Sequence, residues 1–123
     1  MYRTKQRHAI LAVLSGNSSH PTAEQVYCRI RRQIPHISLA TVYRNLKRLA
    51  EEGLILELSF PDEPNHYDPC TELHYHFRCD LCGWIYDLES SQVQIAHRLS
   101  SQGFSVRGQQ AVFYGACASC QTK

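Results

Sequence analysis

Residues 74–83, His-Tyr-His-Phe-Arg-Cys-Asp-Leu-Cys-Gly, place two histidines and a Cys-x2-Cys pair in one short run. In a strand, residues i and i+2 point to the same face, so His74 and His76 can aim both imidazoles at one metal ion. Cys79 and Cys82 need partners, and the knuckle Cys117-Ala118-Ser119-Cys120 supplies them. Two such knuckles make a tetrahedral thiolate cage, which is how structural zinc is held. They lie 34 residues apart, wider than in a zinc ribbon, so the ion must tie distant segments together. A redox Cys-x2-Cys would need a thioredoxin-like βαβ setting, which this sequence lacks. Removing the zinc should unfold or open the C-terminal unit, because its binding energy is folding energy.

A second centre stands beside the first. Sulfur cages select zinc, whereas mixed nitrogen and oxygen sites suit iron, manganese or zinc. Further ligands for His74 and His76 must arrive through the fold: Asp68 before a hinge, Asp87 on the neighbouring strand, His20 at the entrance to a helix. Taken alone, His20 reads as a capping or solvated residue, and so do His8, His36, His66 and His97. No nucleophile or general base stands apart from the candidate ligands. A fully ligated five-residue site leaves little room for substrate, which argues against a zinc hydrolase and against any small-molecule substrate.

At 123 residues the chain is enough for one domain or two very small ones, the size at which a metal staple helps. Residues 1–58 carry nine Lys/Arg against four Asp/Glu, and residues 59–123 carry four against seven. A basic front half joined to an acidic back half fits an anion-binding module attached to a cation-binding one. No apolar run approaches the length of a membrane span and no signal-peptide pattern is present, so a cytoplasmic location with no membrane partner is expected. Four of the six cysteines sit in the paired knuckles, which fits intracellular zinc better than disulfides. Cys28 and Cys70 read as a buried small hydrophobe and a loop residue. No internal repeat or low-complexity segment is evident.

The elements that position these residues follow from periodicity. Tyr2 to about Ser15 reads as a helix with Ile10, Val13 and Leu14 on one face, ended by Gly16-Asn17-Ser18-Ser19. A second helix opens at His20-Pro21-Thr22, with Thr22 and Gln25 as a capping box. Ala23, Val26, Tyr27, Ile30 and Ile34 carry it to a stop at Pro35. Ser38 caps a third helix from Leu39 to about Glu52, closed by Gly53, with Leu39, Val42, Leu46 and Leu49 as its buried stripe. Its other face carries Ala40, Thr41, Arg44, Lys47 and Arg48, with Tyr43 on the flank. Such a face suits a helix laid in a DNA major groove, Arg44 at its centre, though any surface helix can present a solvated basic face.

Leu54 to Phe60 and His66-Tyr67-Asp68, joined by the turn Pro61–Asn65, read as the hairpin wing of a winged helix. Pro69 to Glu72 forms a hinge. His74–Cys79 and Trp84–Leu88 read as strands, and Gly83 allows the knuckle turn. A helix starts at Ser90 or Ser91, carries Val93, Ala96 and Leu99, and ends at Gly103. Phe104 to Tyr114 reads as a long strand. A small α/β unit with exposed strand edges and little core of its own is a good dimerisation module. The expected class is α+β: an N-terminal winged-helix DNA-binding domain, residues 1–69, and a small C-terminal α/β metal-binding dimerisation domain, residues 70–123.

His20-Pro21-Thr22-Ala23, Ala40-Thr41-Val42-Tyr43-Arg44-Asn45-Leu46, His74-Tyr75-His76 with Cys79-x2-Cys82-Gly83, and Cys117-x2-Cys120 together resemble the ferric uptake regulator (Fur) superfamily of bacterial metal-dependent repressors. The resemblance spans essentially the whole chain. It implies a homodimer that binds a palindromic, AT-rich double-stranded operator when metal is bound. Within the family the chain looks most like the peroxide regulator (PerR) branch. That branch implies a regulatory Fe2+ or Mn2+ site of His20, Asp68, His74, His76 and Asp87, a structural Zn2+ on Cys79, Cys82, Cys117 and Cys120, and DNA contacts from Thr41, Tyr43, Arg44, Lys47 and Arg48. It also implies that bound ferrous iron reacts with hydrogen peroxide, that His20 or His74 is oxidised, and that metal and DNA are then released.

Two departures from the iron-sensing branch bear on this. That branch usually carries His-His-Asp-His where this chain has Leu73-His74-Tyr75-His76, and it tends to have Glu where this chain has Asp87. In the other direction, Arg44 stands where peroxide regulators often have Asn, which implies an operator preference leaning toward the iron-regulator type. Members usually carry another short helix before the one that starts here at Tyr2. The alternatives are a repressor of the same family sensing iron or zinc availability without peroxide chemistry, and a zinc-stapled interaction module without DNA binding.

Overall fold

The computed structural model describes residues 2–16 and 19–121, with side chains from Thr4 onward. Asn17 and Ser18, half of the turn expected after the first helix, lie outside them. The chain is α+β and divides into two compact units, Met1–Thr71 and Glu72–Lys123. No helix among the described residues is long and apolar enough to cross a membrane.

Unit 1 is three helices followed by a hairpin: α1 (Tyr2–Ser15), α2 (Ala23–Ile30), α3 (Leu39–Glu51), β1 (Leu56–Leu58) and β2 (His66–Asp68). The expected stripes converge on one core of Ile10, Leu14, Val26, Ile30, Val42, Leu46, Leu49 and Tyr67, with Val13 packed on its margin. Leu39 is only half-buried, at the first turn of α3. Thr22 and Gln25 form the capping box of α2, and Ser38 Oγ accepts the Thr41 N–H at the start of α3. At the other end of α3, Gly53 takes φ +77°, so the Leu54 N–H reaches the Leu49 carbonyl and the orphan carbonyls are satisfied. Arg7 on α1 grips the Glu52 carboxylate with two N–H groups at 2.9 and 2.6 Å.

Unit 2 is a three-stranded sheet in the order β4-β3-β5, from β3 (His74–Cys79), β4 (Ile85–Glu89) and β5 (Val112–Gly115), with a final turn of helix, α4 (Ala118–Gln121). β3 is central, antiparallel to β4 and parallel to β5. His76 lies directly opposite Asp87 across the β3–β4 ladder.

Several expectations need correcting. α2 ends at Ile30, not Ile34, where the Ile30 carbonyl is shared by the Gln33 N–H at 2.8 Å and the Ile34 N–H at 2.9 Å and the regular ladder stops. Ile34 is nonetheless buried. Cys28 is exposed, on the outer side of α2, rather than buried. The strand expected over 54–60 pairs only at Leu56–Leu58, matching the three residues of β2.

The helix expected from residue 90 is absent. Two isolated 3-10 turns, Ser90–Gln92 and Ser100–Gln102, flank an irregular stretch. A short helix holds only if its apolar face packs, and here Ala96 and Leu99 stay exposed. The strand expected over 104–114 shrinks to Val112–Gly115 for the same reason, with Phe104 and Val106 also exposed.

Truncating Leu46 to Ala opens a cavity at the fully buried centre of unit 1 and should cost about 3 kcal/mol in urea unfolding followed by helical circular dichroism. Glu52→Gln, which weakens only a solvent-screened pair, should leave the unfolding midpoint almost unchanged in the same assay.

Candidate metal centres

The four knuckle cysteines come together in unit 2. Cys79 ends β3, and its carbonyl accepts the Gly83 N–H at 3.0 Å to close the first knuckle. Gly83 holds φ +77°, a conformation that favours glycine. The second knuckle closes through Cys120 N–H to the Cys117 carbonyl at 3.1 Å. The knuckles meet because the parallel β3–β5 pairing sets Cys79 beside Gly115. Sulfur separations are 3.7 Å for Cys79–Cys120 and 3.9 Å for Cys82–Cys117. Four thiolates about 2.3 Å from a tetrahedral zinc ion would lie about 3.8 Å apart, so the donor set fits zinc in type and spacing.

The surroundings favour the thiolate form at Cys79 and Cys117, while hydrogen bonding with the Cys117 and Cys79 sulfurs pushes the Cys120 thiol up to about 12. The N–H groups of Cys82 and Cys117 point at the Cys79 sulfur and draw its pKa down to about 6. A hydrogen bond from the Tyr86 hydroxyl lowers the Cys117 thiol, and the same bond pushes Tyr86 itself up to about 12. Tyr86 carries no sequence signal for this role, since its closeness to Cys117 depends on how β4 and the last knuckle meet.

The second cluster of unit 2 sits on β3 and β4. Asp87 Oδ1 lies 3.4 Å from His74 Nε2 and 3.3 Å from His76 Nε2. Cross-strand partners share a face, which brings Asp87 to His76, and the His-x-His alternation adds His74. The two rings stand edge to face at 4.5 Å. His74 Nδ1–H donates to the Glu72 carbonyl at 2.7 Å, fixing the tautomer so that Nε2 presents its lone pair toward Asp87. His76 is buried and Asp87 is exposed.

Unit 1 holds a matching pair. His20 Nε2 and Asp68 Oδ2 are 3.3 Å apart, both side chains almost fully buried. Asp68 Oδ1 accepts the Cys70 N–H at 2.9 Å, which leaves Oδ2 aimed at His20. His20 adopts φ +54°, an uncommon left-handed conformation for a side-chain-bearing residue that costs of order 1 kcal/mol. A lone pair on Nε2 facing a carboxylate oxygen is repulsive unless a proton or a cation lies between. Ligands about 2.1 Å from one ion, at angles between square and tetrahedral, stand roughly 3.0–3.4 Å apart, which matches all three separations.

On the outer face of α3, Arg44, Lys47 and Arg48 are exposed, as is Tyr43, while Thr41 is half-buried. Two of the expected DNA-contacting residues also have local partners. The Thr41 hydroxyl pairs with Ser38 at 2.8 Å, and the Tyr43 hydroxyl donates to the Glu24 carboxylate on α2.

The sequence model of the ferric uptake regulator family matches residues 1–114. The peroxide operon regulator of Bacillus subtilis (strain 168) is 38% identical over 98% of this chain and 84% of its own length. The peroxide-responsive repressor PerR of Staphylococcus aureus (strain USA300) is 37% identical over 98% of this chain and 82% of its own. Among solved structures, the Campylobacter jejuni peroxide stress regulator superposes with a TM-score of 0.79 at 32% identity, covering 97% of this chain and 91% of that one.

Unit 2 has a four-cysteine site and a His/Asp cluster but little apolar core, so its order should depend on the cage. Stripping metal from the reduced protein with a strong chelator should abolish amide-exchange protection in β3, β4 and β5. Protection in α2 and α3 should persist, since their core contains no cage residue.

Proposed function

Because the chain belongs to the ferric uptake regulator family, we propose that it is a metal-dependent transcriptional repressor that senses hydrogen peroxide by iron-catalysed oxidation of a ligand histidine. The observation that carries this reading is Asp87 Oδ1 facing both His74 Nε2 and His76 Nε2 at 3.4 and 3.3 Å. An aspartate there is what the resemblance associates with peroxide sensing. Leu73 removes a ligand that the iron-sensing branch uses. Relatives at 37–38% identity carry peroxide names.

Under this reading Cys79, Cys82, Cys117 and Cys120 hold a structural zinc ion. His20, Asp68, His74, His76 and Asp87 hold a regulatory ferrous or manganous ion. Ferrous iron, when bound, supplies the electron that cleaves hydrogen peroxide, which manganese does not. The imidazoles of His20 and His74 are the groups that take up oxygen, and an oxidised ring is a poorer ligand. His20 and Asp68 belong to residues 1–69 and the other three ligands to residues 70–123, so one ion is assigned to fix the angle between the two parts. Losing a ligand releases that constraint and, with it, DNA.

Residues 1–69 form the winged-helix DNA-binding domain in this reading, with α3 in the major groove and β1–β2 as the wing. Thr41, Tyr43, Arg44, Lys47 and Arg48 contact DNA. Residues 70–123 form the dimerisation domain, and a homodimer matches a palindromic, AT-rich operator. The exposed apolar side chains of unit 2, such as Leu99, Phe104 and Val106, support a second copy as their cover. The protein is read as a regulator, not an enzyme, in keeping with its relatives.

Peptide mass spectrometry on anaerobically iron-loaded protein, before and after one dose of hydrogen peroxide, tests the chemistry. One added oxygen on His20 or His74 is expected in the iron sample and none in a manganese control. Iron shown to be bound, with neither histidine oxidised, would leave a metal-availability repressor instead. For the DNA reading, Arg44→Glu should weaken duplex binding at least about tenfold and flatten its salt dependence. Unchanged affinity would remove α3 from the groove.

A further inference from the structure

His66 on β2 has both ring nitrogens engaged. Nδ1 lies 2.7 Å from the main-chain carbonyl of His20, and Nε2 lies 2.8 Å from Glu63 Oε1 in the hairpin turn. A carbonyl oxygen can only accept, so Nδ1–H is the donor to His20. The ring also stands edge-on to Phe60, centroids 5.4 Å apart.

His20, at the other end of the first bond, departs from two backbone preferences. Its φ is +54°, where side chains are uncommon, and it precedes Pro21, which pushes the preceding residue toward extended backbone. Such a conformation persists only where its surroundings hold it. Around His20 the holding bonds come from β2. The Tyr67 N–H donates to the Pro21 carbonyl at 2.9 Å, Thr22 and His66 form an isolated bridge, and His66 Nδ1–H grips the His20 carbonyl itself.

We propose that His66 is a positioning residue for the regulatory metal. It holds the His20 main chain in the left-handed conformation that presents Nε2 to Asp68 Oδ2, and through Glu63 it couples that conformation to the hairpin turn. The inference rests on the reading of His20 as a metal ligand. It assigns the hairpin a task besides DNA contact: the turn and the ligand share one imidazole, so strain at one reaches the other.

Amide substitutions separate this role from packing. In His66→Asn the amide nitrogen falls where Nδ1 was and can keep the bond to the His20 carbonyl. In His66→Gln it falls where Nε2 was and keeps only the Glu63 side. Both lose the ring against Phe60 equally. The experiment is a manganese titration of full-length, zinc-loaded protein, read by electron paramagnetic resonance of free Mn2+. His66→Gln should raise the dissociation constant about 10–100-fold, while His66→Asn should stay within about threefold of the parent, with zinc content unchanged in both. Equal weakening by the two, or no weakening by either, would overturn the proposal.

Glu63→Ala leaves the ring in place and should give a smaller rise, of about threefold to tenfold. No rise there would sever the link to the turn, and this variant reads the coupling even where a His66 variant does not fold. His20→Ala is the control for the premise. Unchanged manganese binding in that variant would sink the ligand reading, whatever the His66 series gave. Weakened binding there, with a flat His66 series, would sink only the positioning role.

Discussion

Sulfurs 3.7 to 3.9 Å apart, in a site whose N–H groups favour thiolates, repel one another unless a cation sits among them. That one constraint governs the rest of unit 2. Its buried apolar side chains are few: Tyr75 and Ile85, with Cys79 and Cys117 themselves part of the cage. A sheet of three short strands cannot stand on so small a core. Zinc bound to four thiolates contributes on the order of 10 kcal/mol at neutral pH, comparable to the whole stability of a small domain. The cage also fixes where β3 ends relative to the last knuckle, and β3 is the strand that carries His74 and His76.

The His/Asp cluster is built on that foundation. The register that puts His76 opposite Asp87 is set by the β3–β4 ladder, whose turn is the first zinc knuckle. A one-residue slip would swing both histidines to the other face. The hydrogen bond from His74 Nδ1 to the Glu72 carbonyl adds rotational control that the register alone does not supply. Four thiolates suit zinc, and the harder nitrogen and oxygen donors of the second cluster suit iron or manganese.

Unit 1 faces the opposite problem. Its core is ample, and among its described residues His20 and Asp62 take a left-handed φ, Asp62 in the hairpin turn. His20 sits between two helices at a left-handed φ, in a short connection held by the hairpin. Strained backbone of this kind gathers at functional sites because the surrounding structure can over-determine it. Here the surrounding structure is β2, which carries Asp68 as well as His66. Both candidate ligands of unit 1 therefore depend on the same three-residue strand.

The sequence by itself determined the elements whose stability is local or whose partners are near. The capping box at Thr22, the Ser38 cap and the stripe Val42, Leu46 and Leu49 are written in adjacent residues, and they form as their spacing dictates. The cysteine knuckles were legible too, because few arrangements other than a metal cage use two Cys-x2-Cys pairs, and His-x-His told of one strand face. What only the tertiary structure decided was whatever needs a distant surface. Helical periodicity at Val93, Ala96 and Leu99 made no helix, since an apolar stripe without an opposing face gains nothing by ordering. Cys28 fell on the outer side of a helix whose buried stripe runs through Val26 and Ile30. His66 looked like any solvated histidine, yet it holds the His20 carbonyl across 46 positions of sequence. A hydrogen bond of that range leaves no periodic trace, because its geometry exists only once the helices and the hairpin have met.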